Sequence, residues 1–185
     1  MTFLGKMFPI KKAFVFTLLS LFFLGCSKLD EFTQFSITYD SEVTIPAATP
    51  VDLPFNLITP PISTESGSAF SSNNTNKDLI ETIFLTDFTL SLKTPEAGNF
   101  NFLETIEIYI EADNLPEIKL AWLDDIPNDG SRILELETTA QDLKSYIKKD
   151  EYSLRFATTT DEVLTQDHVI DVESIFFVDA KILGI

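Results

Sequence analysis

Residues 104–111, ETIEIYIE, decide the fold class of this chain. Ile106, Ile108 and Ile110 alternate with polar or amphipathic residues, which is the two-residue period of a strand with one buried face. Strands of this kind are typical of antiparallel sheets, because one face packs on a core while the other meets water. The stretch therefore predicts an antiparallel β protein.

The same alternation recurs on both sides of this stretch. An extra residue across Thr86–Asp87 predicts a β-bulge, Asp40-Ser41-Glu42 predicts a turn, and Pro54, which lacks a backbone donor, predicts an edge strand. The alternating runs lie at residues 35–39, 43–45, 51–57, 83–92, 106–111, 118–122, 134–136, 152–156 and 170–182. They predict about eight strands in one domain.

One segment has helical periodicity. In residues 140–149, Leu143, Tyr146 and Ile147 share one face, and Thr139 precedes them as a capping residue. About eight strands and one short helix predict an all-β fold, an antiparallel β-sandwich of immunoglobulin-like or jelly-roll type.

Aromatic residues provide the candidate ligand contacts. Residues 59–76 are rich in Ser, Asn, Pro and Gly and predict a loop, in which Phe70 contacts either a ligand or the core. Tyr109 lies on the polar face of its strand and is a candidate for stacking on a sugar. Trp122 is the other possible sugar-stacking aromatic, but it has the parity of its apolar neighbours Ile118 and Leu120, which favours a place in the core.

The first 25 residues have the pattern of an export signal. Lysines at positions 6, 11 and 12 precede an uncharged apolar run at residues 13–24. At about 1.5 Å per residue this run covers about 18 Å of a hydrocarbon core roughly 30 Å thick, which is too short to span it. A cleaved signal peptide at residues 1–25 fits better. Met7 is an alternative start.

Gly25 and Cys26, directly after the apolar run, resemble the lipobox of a bacterial lipoprotein. The resemblance implies that Cys26 is acylated, that residues 26–33 form a lipidated tether, and that the β domain spans residues 34–185. Cys26 is the only cysteine, so no intramolecular disulfide can form. An ordinary secretory signal and an uncleaved short anchor are the alternatives.

Residues 27–31, SKLDE, are similar to the Lys-plus-acid tags of surface-exported lipoproteins of the Bacteroidetes type. An ordinary charged tether is the alternative. As a whole the chain resembles small outer-membrane lipoproteins of that type with an all-β domain. The resemblance implies a lipid-anchored protein of the outer membrane, exposed at the cell surface.

Charge restricts the partners. Without residues 1–25 the chain has 10 basic and 29 acidic residues, a net charge of −19. Such a surface repels nucleic acid and anionic headgroups, so we expect no nucleic acid partner. Asp125 and Asp129, just before Gly130, are a candidate calcium site, with a plain hairpin turn as the alternative.

The residues needed for common catalytic chemistry are scarce. His168 is the only histidine, and we expect it to be solvent-exposed at a strand edge; the only thiol is expected to be lipidated. We therefore expect no cofactor, no enzyme activity, and a monomeric domain that binds or scaffolds a protein or glycan. An accessory carbohydrate-binding module of a glycan-uptake system and a hydrolase are the alternatives. An open aromatic platform would favour the former, and a deep pocket with several carboxylates the latter.

Overall fold

The computed structural model describes residues 33–181, so Cys26 and Ile182 lie outside the described residues. This part of the chain has ten strands and two short helices, and it is an all-β antiparallel sandwich as predicted. The elements in order are β1 (Gln34–Ile45), β2 (Phe55–Ile58), β3 (Ile62–Ser63), α1 (Ser66–Ser72), β4 (Ile80–Thr94), β5 (Leu103–Glu111), β6 (Ile118–Leu123), β7 (Ile133–Glu135), β8 (Glu137–Thr138), α2 (Lys144–Ile147), β9 (Glu151–Thr160) and β10 (His168–Ala180). Neither helix is long and apolar enough to cross a membrane.

The strands form two sheets. The first sheet has the order β1-β10-β4-β7, and the second has the order β2-β9-β5-β6-β8, with β3 also paired to β9. Apart from the two-residue strands β3 and β8, the eight strands pair symmetrically about the middle of the chain: β1 with β10, β2 with β9, β4 with β7 and β5 with β6. This is a long hairpin rolled into two sheets, the jelly-roll arrangement. An immunoglobulin sandwich would instead pair its first two strands.

The core lies between the sheets and follows the predicted alternation. Ile106, Ile108 and Ile110 of β5 are buried. The inward residues of β10 are buried as well: Ile170, Val172, Phe176, Val178 and Ala180. The bulge in β4 is also confirmed, because Ile175 pairs with Asp87 and Phe176 with Leu85, which leaves Thr86 as the extra residue.

β1 differs from its prediction. It pairs with β10 without interruption from Gln34 to Ile45, so the turn predicted at Asp40-Ser41-Glu42 is wrong. Tyr39 and Val43 on either side of this segment are both buried. The apolar residues before and after it have the same odd parity, which is what a continuous strand requires.

The helix predicted at residues 140–149 is only the four-residue α2. Leu143 donates its backbone N–H to the carbonyl of Ile83 at 2.7 Å, and the N–H of Ile83 donates to Asp142 Oδ1 at 3.0 Å. These bonds hold residues 142–143 against β4, so the helix begins later. Tyr146 and Ile147 are buried, as the periodicity predicted.

The loop predicted at residues 59–76 contains β3 and α1, so residues 33–181 have two short helices where one was predicted. Ser68 donates its hydroxyl to the carbonyl of Glu65 at 2.8 Å, and Ser72 donates to that of Ser68 at 2.7 Å. Phe70 is fully buried, with its ring 6.4 Å from that of Phe35 in an edge-on contact. Phe70 therefore belongs to the core, and its candidacy as a ligand contact is withdrawn.

Candidate binding surfaces

The solvent side of the second sheet carries a set of aromatic and charged residues, here called the outer-face cluster: Glu107, Tyr109, Lys119, Trp122 and Arg155. Residues directly opposite each other in an antiparallel pair share a face. Glu107 lies opposite Trp122, and Tyr109 lies between Lys119 on β6 and Arg155 on β9. Three neighbouring strands thus place their side chains on one surface.

Hydrogen bonds connect this cluster. Glu107 accepts from Lys119 Nζ at 2.9 Å through Oε1 and from the Tyr109 hydroxyl at 2.8 Å through Oε2. The Arg155 guanidinium donates to both carboxylate oxygens of Glu117, at 2.6 and 2.7 Å. Its central carbon lies 4.1 Å from the centre of the Tyr109 ring. One face of Tyr109 is therefore covered by a cation, and the ring is not open on both sides.

The pKa values follow from these contacts. The hydrogen bonds from Lys119 and then Tyr109 lower the pKa of the Glu107 carboxyl, and the same bond to Glu107 raises the pKa of Tyr109. The hydrogen bonds from Arg155 lower the pKa of Glu117. The cluster therefore carries fixed charges at neutral pH, with no proton poised for transfer.

Trp122 belongs to this surface, so its predicted place in the core is wrong. Ile108 pairs with Ala121 and Tyr109 with Lys119, which leaves Leu120 as an extra residue in β6 and reverses the parity beyond it. Trp122 is half-buried, with Lys119 Nζ 5.1 Å from its ring centre. The sequence did contain a signal for this extra residue. Leu120 and Ala121 are consecutive apolar residues, and a strictly alternating strand has no such pair.

A second surface is a groove of about 950 Å³ between β1 and the segment that contains β2 and β3. Apolar walls are provided by Ile37, Leu57 and Ile62. The acids Asp40, Glu42 and Glu65 also line it, and its described lining includes no Lys or Arg. The sequence did not indicate this site, because its two walls are distant along the chain.

One hydrogen bond closes the bottom of the groove. The Tyr39 hydroxyl donates to the carbonyl of Thr64 at 2.8 Å and so ties β1 to the segment after β3. Burial, and secondarily the charge of Glu65, raises the pKa of Tyr39 to about 12. Tyr39 also packs edge-on against Tyr152, with ring centres 5.8 Å apart. The groove thus has a fixed floor.

His168 is buried, so the expectation of an exposed residue is wrong. Its ring lies 4.6 Å from the ring of Phe102, and Nδ1 lies 3.0 Å from the carbonyl oxygen of Gln166. The neighbouring acids are engaged elsewhere: Asp167 accepts from the backbone N–H of Ala47 at 2.8 Å, and Asp171 pairs with Lys93 at 3.2 Å. The structure does not assemble these residues into a catalytic triad.

Asp125 and Asp129, the candidate calcium ligands, lie in the loop between β6 and β7. Asp129 Oδ1 accepts from the backbone N–H of Ser131 at 2.8 Å, and Gly130 takes a positive φ of 78° and donates to Asn101 Oδ1. This is the hydrogen bonding of a tight turn. In residues 33–181 no three or more His, Cys, Asp or Glu side chains are grouped so that they could hold a metal ion.

Neither a protein-family model nor a curated protein matches the sequence. Among solved structures, the crystal structure of FLHE is similar over 79% of this chain and 98% of its own, with 10% identity and a TM-score of 0.31. Desmodium yellow mottle tymovirus is similar over 82% of this chain and 91% of its own, with 8% identity and a TM-score of 0.28. Turnip yellow mosaic virus is similar over 82% of this chain and 96% of its own, with 11% identity and a TM-score of 0.28. These distant similarities support no inference about function.

Proposed function

We propose that this chain is an outer-membrane lipoprotein, anchored by lipid on Cys26, whose sandwich binds a partner and is not an enzyme. The observation that carries the binding function is the groove, which is large, lies at the edges of both sheets and has apolar walls with an acidic lining. His168 lines a small pocket of about 270 Å³, with its Nδ1 3.0 Å from the carbonyl oxygen of Gln166. The neighbouring Asp167 and Asp171 bond elsewhere and do not orient the imidazole, which supports a role without catalysis.

The anchor is supported by the sequence. Gly25 and Cys26 follow an apolar run that is too short to span a bilayer, and no second cysteine competes for the modification. Each buried methylene of an acyl chain contributes about 0.8 kcal/mol, and stable anchoring requires more than one chain. The three chains typical of mature bacterial lipoproteins would hold the domain firmly.

Metabolic labelling with a palmitate analogue tests the anchor. We expect label on the full chain and none on Cys26→Ala, whereas the control Lys28→Ala, two residues away, should keep it. Wild-type protein that carries no label while a known lipoprotein in the same cells does would contradict the anchor. Protease treatment of intact cells then reports on surface exposure.

A carbohydrate-binding module is the second candidate function, and the outer-face cluster favours it. Tyr109 and Trp122 lie on one sheet face beside charged hydrogen-bonding groups, a combination suited to stacking on a sugar. Glycan-array binding that is lost in Trp122→Ala, and kept in Val163→Ala, would favour this candidate over the groove. Val163 is an exposed apolar residue outside the cluster, 68% accessible, and so serves as the control.

A further inference from the structure

We propose that the outer edge of β1 is a strand-addition site for an extended segment of a partner protein that carries Lys or Arg. The inference rests on the proposed binding function and assigns its site and its class of ligand. In strand addition, main-chain hydrogen bonds provide affinity, and pockets for alternate side chains provide specificity.

The backbone of β1 has an available side. Within residues 33–181, β1 pairs with β10 alone and is the end strand of its sheet. The backbone N–H of Ala180 donates to the carbonyl of Thr33, and the register continues from that pair. In an antiparallel ladder this makes the odd residues of β1 bond to β10 and turns the N–H and C=O of Thr38, Asp40 and Glu42 outward.

Among residues 33–181, the end strands β2, β7 and β8 are protected against strand addition, and β1 is not. β7 and β8 have three and two residues, and β2 has four and is flanked by Pro54 and by Pro60-Pro61. Short strands and prolines prevent the addition of another strand. β1 has 12 residues and no proline, about twice the usual strand length. It is the long edge that remains open in this part of the molecule.

The groove beside this edge can receive alternate side chains. Ile37 and Leu57 are half-buried and Ile62 is buried along its walls, and Ile58 is 61% exposed at its margin. A strand added to β1 would direct every second side chain towards these residues. The guest segment should therefore alternate apolar residues with residues that face solvent.

The charge of the groove selects a basic guest. Lys93 pairs with Glu42 at 2.7 Å, whereas Asp40 and Glu65 form no ion pair within residues 33–181. Asp40 also lies opposite Glu173 of β10 on the outer face. A second copy of this chain would bring β1 acids against β1 acids, which disfavours self-association, whereas a Lys- or Arg-bearing segment would be attracted.

Proline variants of the full chain test the edge. The probe is a decapeptide of alternating valine and lysine, with a valine–glutamate peptide as its control. Thr38→Pro removes an outward N–H inside the groove and should weaken binding about tenfold, the equivalent of one hydrogen bond. Gln34→Pro removes an equivalent N–H outside the groove and should bind like the wild type. Circular dichroism checks that both variants fold.

A charge variant tests the electrostatic part. Asp40→Lys should weaken binding of the lysine peptide and increase that of the glutamate peptide, whereas Asp87→Lys, on the outer face of β4, should change neither. Equal binding of both peptides by the wild type, or equal binding by Thr38→Pro and Gln34→Pro, would overturn the proposal.

Other occupants of the edge give different results. Peptide binding that appears only after deletion of residues 27–32 would assign the edge to the tether of the chain itself and overturn the proposal. A dimer that Thr38→Pro dissociates would assign it to a second copy, with the same consequence. Partners that co-purify equally with wild type and Thr38→Pro would overturn the edge site while the binding function stands. No co-purifying partner would count against both.

Discussion

Arg132 holds the turn after β4 by hydrogen bonds to main-chain carbonyls. The two hydrogens of one terminal nitrogen are shared among the carbonyl oxygens of Pro95, Glu96 and Gly98, at 3.0, 2.6 and 2.5 Å from that nitrogen. The other terminal nitrogen donates to the carbonyl of Leu92 at 2.6 Å. The planar guanidinium reaches several acceptors at once, which an ammonium group cannot reproduce.

We therefore expect Arg132→Lys to lower the free energy of unfolding by about 1–3 kcal/mol, since charged hydrogen bonds to main-chain acceptors are lost. The control is Arg155→Lys, which weakens a partly exposed ion pair with Glu117, whose two side chains are 24% and 33% accessible, and which should cost about 1 kcal/mol or less. Urea unfolding measures both variants. A midpoint for Arg132→Lys that is no lower than that of Arg155→Lys would contradict the role of Arg132.

Two single residues, Tyr109 and Trp122, show when alternation predicts the correct face of a strand and when it does not. Tyr109 was correctly placed on the outward face, because β5 alternates without interruption from Thr105 to that position. Trp122 was wrongly placed, because Leu120 is an extra residue in β6 and reverses the faces beyond it. One inserted residue moves every later side chain to the other side of a sheet.

At the scale of elements, α1 has one large buried side chain, that of Phe70. Phe70 is fully buried against the core, whereas serines occupy most of the remaining turns of this short helix. Phe70→Ala should lower the free energy of unfolding by about 3–5 kcal/mol, the usual cost of emptying a buried aromatic site. Ser71→Ala, at an exposed position, should change it by about 0.5 kcal/mol or less. Similar urea midpoints for the two variants would show that α1 is not fixed by Phe70.

The two helices show why the local sequence alone did not predict where helices form. Residues 59–76 lack a helical period, and α1 forms where Phe70 reaches the core and packs edge-on against Phe35. Residues 140–149 have such a period, yet bonds from Asp142 and Leu143 to Ile83 keep the first residues out of the helix. In both cases a tertiary contact overrides the local preference.

At the scale of the whole molecule, alternation predicted the class of fold and the buried faces of β5 and β10, but not which strands are neighbours. Antiparallel pairs of β1 with β10 join residues far apart in sequence, from 123 positions for Ile45 with His168 to 145 positions for Gln34 with Asp179. The groove is a product of these pairings, since it brings Ile37 and Ile62 to facing walls. The sequence therefore could not indicate the groove. The outward position of Tyr109 could be predicted, because it depends only on the alternation within one strand.

Acid should weaken the outer-face cluster. Lys119 lowers the pKa of Glu107 and Arg155 lowers that of Glu117, so their contribution to stability is present above about pH 4.5 and is lost as pH falls through the lowered values. Glu107→Gln should flatten this part of a plot of unfolding free energy against pH, and Glu104→Gln, an exposed residue of β5, serves as the control. Equal acid sensitivity in both variants would contradict the assignment.

Alkali should destabilise the fold through its tyrosines, all four of which have a raised pKa in the folded protein. Burial raises the pKa of Tyr39 to about 12 and also raises those of Tyr146 and Tyr152, while the hydrogen bond to Glu107 raises that of Tyr109. The unfolded chain ionises its tyrosines near pH 10, so it loses protons that the folded chain keeps, and stability falls as pH rises from about 10 towards 12.

Tyrosinate absorbance and urea unfolding, both followed against pH, measure this effect. We expect Tyr39→Phe to be less stable than wild type at pH 7, because the bond to the Thr64 carbonyl is lost, but to lose less stability between pH 10 and about 12. A folded wild-type protein whose tyrosines all ionise near pH 10 would contradict the burial of these hydroxyls. A variant with the same alkaline slope as wild type would show that Tyr39 does not contribute to it.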